Sequence, residues 1–188
     1  MRNRIIALLL ACVMTVSLLP VSALAVEPSD TAAAQETTVI TTAEEFAAMK
    51  SDGAYRLGAD ITVDAPYGKT FTGSLDGAYH TVTLALHVTA DDTDASWGLF
   101  RALNGAAIRD LRLAGELAAA EDSPAKNVGA LAGTVSGDTT VSGCRSEVQI
   151  SVSSADSHVG GLLGSVTGGT LSLTGCANAG ITALCCRT

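Results

Sequence analysis

Apolar and polar residues alternate in short runs along most of this chain, and the runs recur at a near-constant interval. Ala54-Tyr55-Arg56-Leu57, Asp60-Ile61-Thr62-Val63, Thr81-Val82-Thr83-Leu84-Ala85-Leu86, Ala107-Ile108-Arg109-Asp110-Leu111-Arg112-Leu113, Thr140-Val141-Ser142, Val148-Gln149-Ile150-Ser151-Val152 and Thr170-Leu171-Ser172-Leu173 all read as half-buried strands. Their branched side chains suit a pleated surface. Val128-Gly129-Ala130-Leu131-Ala132-Gly133 returns as Val159-Gly160-Gly161-Leu162-Leu163-Gly164 at an offset of 31, and Gly143-Cys144 returns as Gly175-Cys176 at an offset of 32. One residue is therefore inserted between the two landmarks. Trp97-Gly98-Leu99-Phe100 precedes the first landmark by the same offset of 31, and Phe71-Thr72-Gly73-Ser74-Leu75-Asp76-Gly77 opens a looser copy.

A fixed period marks a repeat architecture whose units bury their apolar faces only against neighbours. Three short strands per turn, with a glycine at each corner, predict an all-β right-handed parallel β-helix of about thirty residues per coil. An antiparallel sandwich would also give many short strands, but it would not return like residues at one offset. In a coil, like stacks over like at about 4.8 Å, so Leu131 and Leu162 are expected to face inward one coil apart. Asn104-Gly105 is the single two-residue hairpin signal of the Asn-Gly kind, and it sits inside a repeat landmark. The polar stretches 89–96, 118–127 and 153–158 close successive copies and should leave one face of the stack.

Ahead of the coils, residues 38–70 are read as an amino-terminal cap. Thr42 with Glu45 three residues later is a capping box opening a short helix over 43–50, with Phe46 and Met49 on one face. That helix should cover the open end of the first coil. Residues 71–182 are the coils, 26–37 a flexible leader, and 183–188 a tail unlike a coil or a cap.

Residues 1–25 read as a signal peptide. Arg2 and Arg4 precede an apolar run over 5–19, Pro20 ends it, and Ala23-Leu24-Ala25 suits cleavage before Val26. A membrane anchor and a lipobox at Leu9-Leu10-Ala11-Cys12 are the competing readings. Export implies a secreted or cell-surface protein with no integral membrane segment after cleavage. Removal of the signal leaves nineteen acids against nine bases, moving the balance from −8 to −10. Scattered bases on an acidic chain exclude a phosphate-backbone binder, so no nucleic-acid partner is expected.

Candidate chemistry is thin. Asp91, Asp92 and Asp94 in one loop and Glu121 with Asp122 in the next are candidate calcium ligands or polysaccharide-cleaving carboxylates, set against an ordinary solvated loop. Asp76-Gly77 reads as a turn. His80, His87 and His158 lack zinc-ligand spacing, and no G-x-S-x-G occurs. Tyr67, Tyr79 and Trp97 form either a glycan platform or part of the core. Cys144 and Cys176 share one repeat position and are expected to be free stacked thiols, because in-register strands aim them the same way. A bridge between coils is the alternative. No catalytic, cofactor-binding or metal-ligating residue is assigned.

Several segments resemble a known module. Ala43-Glu44-Glu45-Phe46 followed by Tyr55-Arg56-Leu57-Gly58-Ala59-Asp60-Ile61 is similar to the entry segment of bacterial surface β-helix proteins. Phe71-Thr72-Gly73-Ser74-Leu75-Asp76-Gly77, closed by His80-Thr81-Val82, is similar to their F-x-G-x-x-D-G-x-x-H-T-I segment. Gly98-Leu99-Phe100 and Val159-Gly160-Gly161-Leu162-Leu163-Gly164 resemble the GLUG repeat, and Cys176-Ala177-Asn178-Ala179-Gly180-Ile181 resembles its closing strand. The likeness spans residues 38–182, with one departure: Ala102 stands where Gly133 supplies the repeat's last glycine. Such modules belong to large exported proteins of Gram-positive gut and oral bacteria, among them adhesin-like proteins and IgA-cleaving metallopeptidases. The resemblance implies a non-enzymatic stalk or binding scaffold whose partner is a host or cell-wall glycan or protein. A polysaccharide-active enzyme and the amino-terminal part of a large peptidase are the other classes. Because residues 183–188 resemble no cap, the chain is expected to stop short of a natural end. It should then self-associate through a last coil exposing Leu171, Leu173 and Ile181, with Cys185 and Cys186 free to cross-link.

Overall fold

The computed structural model describes residues 36–153, 156–180 and 182–184. Residues 1–25, read from the sequence as a signal peptide, residues 26–35 of the expected leader, Ile181 and the Cys185-Cys186 pair lie outside them. Within the described residues nearly everything is parallel strand, wound as a β-helix of about three turns with almost no helix.

The turns build four sheets. The first has six strands, Thr38–Ile40, Ala54–Leu57, Ser74–Asp76, Ala107–Arg109, Thr139–Ser142 and Leu171–Thr174, stacked in that order. The second has seven: Ile61–Val63, Thr81–Val88 and Arg112–Ala119, then Arg145–Ser146 with Gln149–Val152, then Ala177–Asn178 with Thr182–Leu184. Ser96–Trp97, Asn127–Gly129 and His158–Gly160 make the third, and Tyr67–Phe71, Phe100–Asn104, Ala132–Ser136 and Leu163–Val166 the fourth. The three strands expected per turn are thus four faces. The Val128-to-Gly133 landmark is not one strand but two, Asn127–Gly129 and Ala132–Ser136, bent between Gly129 and Ala132.

Register explains the offsets. Val128 pairs with Val159 and Ala132 with Leu163, an offset of 31, while Val141 pairs with Leu173, an offset of 32. The extra residue sits at the corner over 167–170. One alignment needs correction. Phe100 pairs with Ala132 and Ala102 with Thr134, so Gly133 stacks on Arg101 and the apparent loss of a glycine at Ala102 is a register effect. Similarly, residues 107–113 are two strands rather than one, parted where Asp110 takes a left-handed φ of 52°.

Inward rows fill the interior: Tyr55, Leu75, Ile108 and Val141 from the first sheet, and Val82 with Leu113, then Leu86, Leu117 and Ile150, from the second. Residues of the last described coil are less covered. Leu162 is only part-buried against the core while Leu131 is fully buried, and Val166 and Leu173 are about half exposed.

The helix is Ala43–Ala47, one short turn that ends before the expected Lys50. Thr42 Oγ1 accepts from the Glu45 N–H, and Glu45 Oε2 accepts from the Thr42 and Thr41 N–H groups, so the capping box forms. The chain leaves the helix early because the Lys50 N–H donates to Tyr55 Oη at 2.7 Å. Phe46 nonetheless lies against Tyr67 and Phe100, with ring centroids 6.1 and 5.6 Å away, at the end of the first coil. The remaining strands of residues 38–70 already belong to the first, second and fourth sheets, so this segment is coil as well as cap.

Candidate functional site

Alternation on the first sheet sends every second side chain outward. One outward row is Ala54, Ser74, Ala107, Thr140 and Ser172, and its neighbour is Arg56, Asp76, Arg109, Ser142 and Thr174. Between them lies an open groove of about 370 Å³, with Thr37, Arg56, Ser74, Asp76, Arg109, Thr140 and Ser142 among its lining residues. Small residues in the first row make the floor, and the longer side chains of the second make a wall.

Asp76 organises that wall. Its Oδ2 accepts from an Arg109 guanidinium nitrogen at 2.6 Å and lies 3.8 Å from Arg56 Nε on the opposite rung. Its Oδ1 accepts from the Ala78 N–H at 2.9 Å, holding a turn in which Ala78 and Tyr79 both take left-handed φ. The turn expected at Asp76-Gly77 is present, and the same carboxylate also ties two arginines to the sheet. The Asp76 side chain is 15% exposed and those of Arg56 and Arg109 are 59% and 61%, so the guanidiniums face solvent while the acid is withdrawn. Arg109 Nη1 also lies 3.8 Å from Asp110, at the corner beyond the groove.

The second sheet carries a similar but shorter feature. Arg112 and Arg145 stack in register beside a recess of about 380 Å³, and Arg145 Nε donates to Glu147 at 2.8 Å.

Two of the loop acids, Asp92 and Asp94, have other occupations. Asp92 Oδ2 accepts from the Thr89 N–H and Oγ1, closing a turn. Asp94 pairs with Arg101, its carbonyl accepts from Trp97 Nε1 at 2.7 Å, and the Arg101 guanidinium lies 4.7 Å from the Trp97 ring centroid. This knot binds the first loop to the fourth sheet. Glu121 and Asp122 are exposed in the next loop, and no group of three or more acids, histidines or cysteines is placed to hold a metal among the described residues. The three aromatics do not form a platform. Tyr67 is buried with its hydroxyl on the Met49 carbonyl, Trp97 is buried, and only Tyr79 is exposed. His80 pairs with Asp60 at 3.2 Å and His87 with Glu116 at 3.4 Å, at opposite ends of the Thr81–Val88 strand.

Cys144 and Cys176 are free thiols in the described structure. Cys144 Sγ is directed at the Ser142 carbonyl and Cys176 Sγ at that of Val141. Burial pushes the Cys144 thiol up to about 11, and the Leu111 backbone contact only partly opposes it. The thiolate is the reacting species, so folded Cys144 should resist iodoacetamide at about pH 8 and react once urea unfolds the chain. Peptide mass mapping reads this directly. Ready alkylation in the folded state would place the thiol outside the core.

Sequence reasoning did not single out Arg56 and Arg109. Asp76 and Arg109 are separated by one coil, an offset of 33, but Arg56 precedes Asp76 by only 20, because the first coil is short. No shared period joins the three. Comparison with family models, curated proteins and solved structures finds no match.

Proposed function

We propose that this chain is a secreted, cell-surface β-helix module that acts as a binding scaffold. The observation that carries the reading is the groove on the first sheet. It is an open surface of mixed polar and apolar lining laid across consecutive rungs, whose shape is held by in-register backbone pairing rather than by loops. The signal-like segment over residues 1–25 supports export, and the likeness to GLUG-repeat modules supports a place in a larger surface protein.

The test separates a scaffold from a polysaccharide-cleaving enzyme. Purified protein is incubated with insoluble cell-wall polysaccharide, and both retention and new reducing ends are measured. Retention without release is expected. Steady release of reducing ends, lost on substituting Asp94 or Glu121, would make the chain a hydrolase or lyase.

Self-association through the last coil is proposed as well, supported by the half-exposed Val166 and Leu173. Sedimentation under reducing conditions should show concentration-dependent oligomers. A monomer at high micromolar concentration overturns it.

A further inference from the structure

We propose that Tyr79, at the corner between the first and second sheets, is the stacking platform of a neutral glycan site, with a pyranose ring lying on its exposed face. This rests on the scaffold reading above and adds the ligand's chemistry to it.

That corner is longer in one coil than in those that follow. Asp76 pairs with Arg109 and Thr81 with Arg112, so four residues cross it in the earlier coil against two in the next. Ser142 to Arg145 and Thr174 to Ala177 also cross with two. The longer crossing includes Ala78 and Tyr79, which both hold left-handed φ, 48° and 63°. The shorter corners make the bend with one left-handed residue each, Asp110, Gly143 or Gly175. Left-handed backbone is costly for any residue with a Cβ, and a bulky ring there is an outlier.

Packing does not offset that cost. Tyr79 is 63% exposed, and its hydroxyl has no hydrogen-bond partner among the described residues. The surroundings fix the backbone instead. Asp76 Oδ1 accepts from the Ala78 N–H, the Tyr79 N–H donates to the Asp110 carbonyl at 2.8 Å, and the His80 N–H donates to the Gly77 carbonyl at 2.8 Å. The turn is thus over-determined while the ring it carries stands in solvent. A local rule broken without a packing gain points to a role at the surface.

The neighbourhood argues for a neutral sugar. The Arg56 and Arg109 guanidiniums converge on Asp76, Arg109 also meets Asp110, and His80 pairs with Asp60, so no excess charge is left to select an ion. The other exposed large apolar side chains among the described residues, Val39, Val166 and Leu173, lie on the first strand and the last coil. A protein partner would need a water-excluding rim around its anchor, and Tyr79 has none. One aromatic face edged by polar groups suits a pyranose. Its C–H face packs on the ring, and its hydroxyls pair with the groups at the edge, the Tyr79 hydroxyl among them.

Calorimetry on the full exported chain tests this, with β-1,4-linked hexamers of glucose and of N-acetylglucosamine as probes and a galacturonate hexamer as the charged comparison. At least one neutral hexamer should bind, with an affinity that rising salt leaves unchanged. Tyr79→Gly removes the ring and relieves the left-handed backbone. Its affinity should fall about tenfold or more while its melting temperature rises by about 2 °C. Tyr79→Asn, which tolerates the same φ, should lose binding equally and keep the fold. Tyr79→Phe keeps the face and should weaken binding only about threefold. Lost affinity with gained stability separates a contact from an effect on folding. Unchanged affinity in Tyr79→Gly overturns the proposal, as does binding of the acidic hexamer alone or of no hexamer. A lower melting temperature for Tyr79→Gly overturns it too, since the ring would then be packing the corner. Each of these leaves the scaffold reading standing if the chain is still retained on insoluble polysaccharide. Absence of retention on any polysaccharide sinks the scaffold reading itself.

Discussion

Phe100→Ala is expected to lower unfolding free energy by about 3 to 5 kcal/mol, the range for deleting a large buried ring. Phe100 is fully buried where the helix meets the first coils. Its ring stacks on Phe71 with centroids 5.1 Å apart and touches Tyr67 and Phe46 at 5.7 and 5.6 Å. Those partners come from the helix and from the adjacent rung, so the cavity opens between elements that cannot close on it independently. The phenyl group also keeps the Phe46 face seated, and its loss should expose the end of the first coil. Urea unfolding followed through Trp97 fluorescence measures the change. Leu131→Ala, in a fully buried site, should cost about 2 to 5 kcal/mol. Leu162→Ala should cost less, because Leu162 is only part-buried. Equal losses at Leu131 and Leu162 would contradict the burial gradient along the stack.

Gly129→Ala is the second large effect, and its origin is steric rather than conformational. The φ of Gly129 lies outside the left-handed region, but a Cβ there would lie 2.5 Å from the Gly164 nitrogen, 2.6 Å from the Ala132 oxygen and 2.7 Å from the Leu163 carbonyl carbon. All three are backbone atoms, two of them on the next coil, where spacing is set by the ladder hydrogen bonds. Relief would require parting two rungs, so a loss of about 3 kcal/mol or more is expected. Two other glycines isolate the mechanism. Gly105 has a left-handed φ of 63° and open space where a methyl group would point, so alanine should cost only the left-handed penalty of about 1 to 2 kcal/mol. Gly68 has neither constraint, and alanine there should be neutral or stabilise slightly by restricting the unfolded chain. Thermal and urea melts of the three variants should rank in that order. A Gly129→Ala protein as stable as Gly68→Ala would show that the coils are not packed at the spacing described.

Much of this molecule is written in its alternation and its period. Segments that return at offsets of 31 or 32 must take equivalent places, and equivalence in a chain of short strands leaves stacked parallel coils as the simplest solution. The inward rows through Ile108 and Val141 follow from that rule, as does the helix start, since Thr42 and Glu45 satisfy each other's backbone partners without distant help. Other features depend on contacts between segments that no period links. The helix ends at Ala47 because Tyr55 captures the Lys50 N–H. The division of Val128 to Gly133 into two faces depends on how closely Gly129 can approach the next coil, and the true partner of Gly133 emerges only when Phe100 settles over Ala132. The candidate site is of this second kind. Arg56, Asp76 and Arg109 are ordinary polar positions in sequence, at unequal offsets of 20 and 33. They become one wall because the first coil is short, so that register, which only the folded stack defines, brings them onto consecutive rungs of the same outward face.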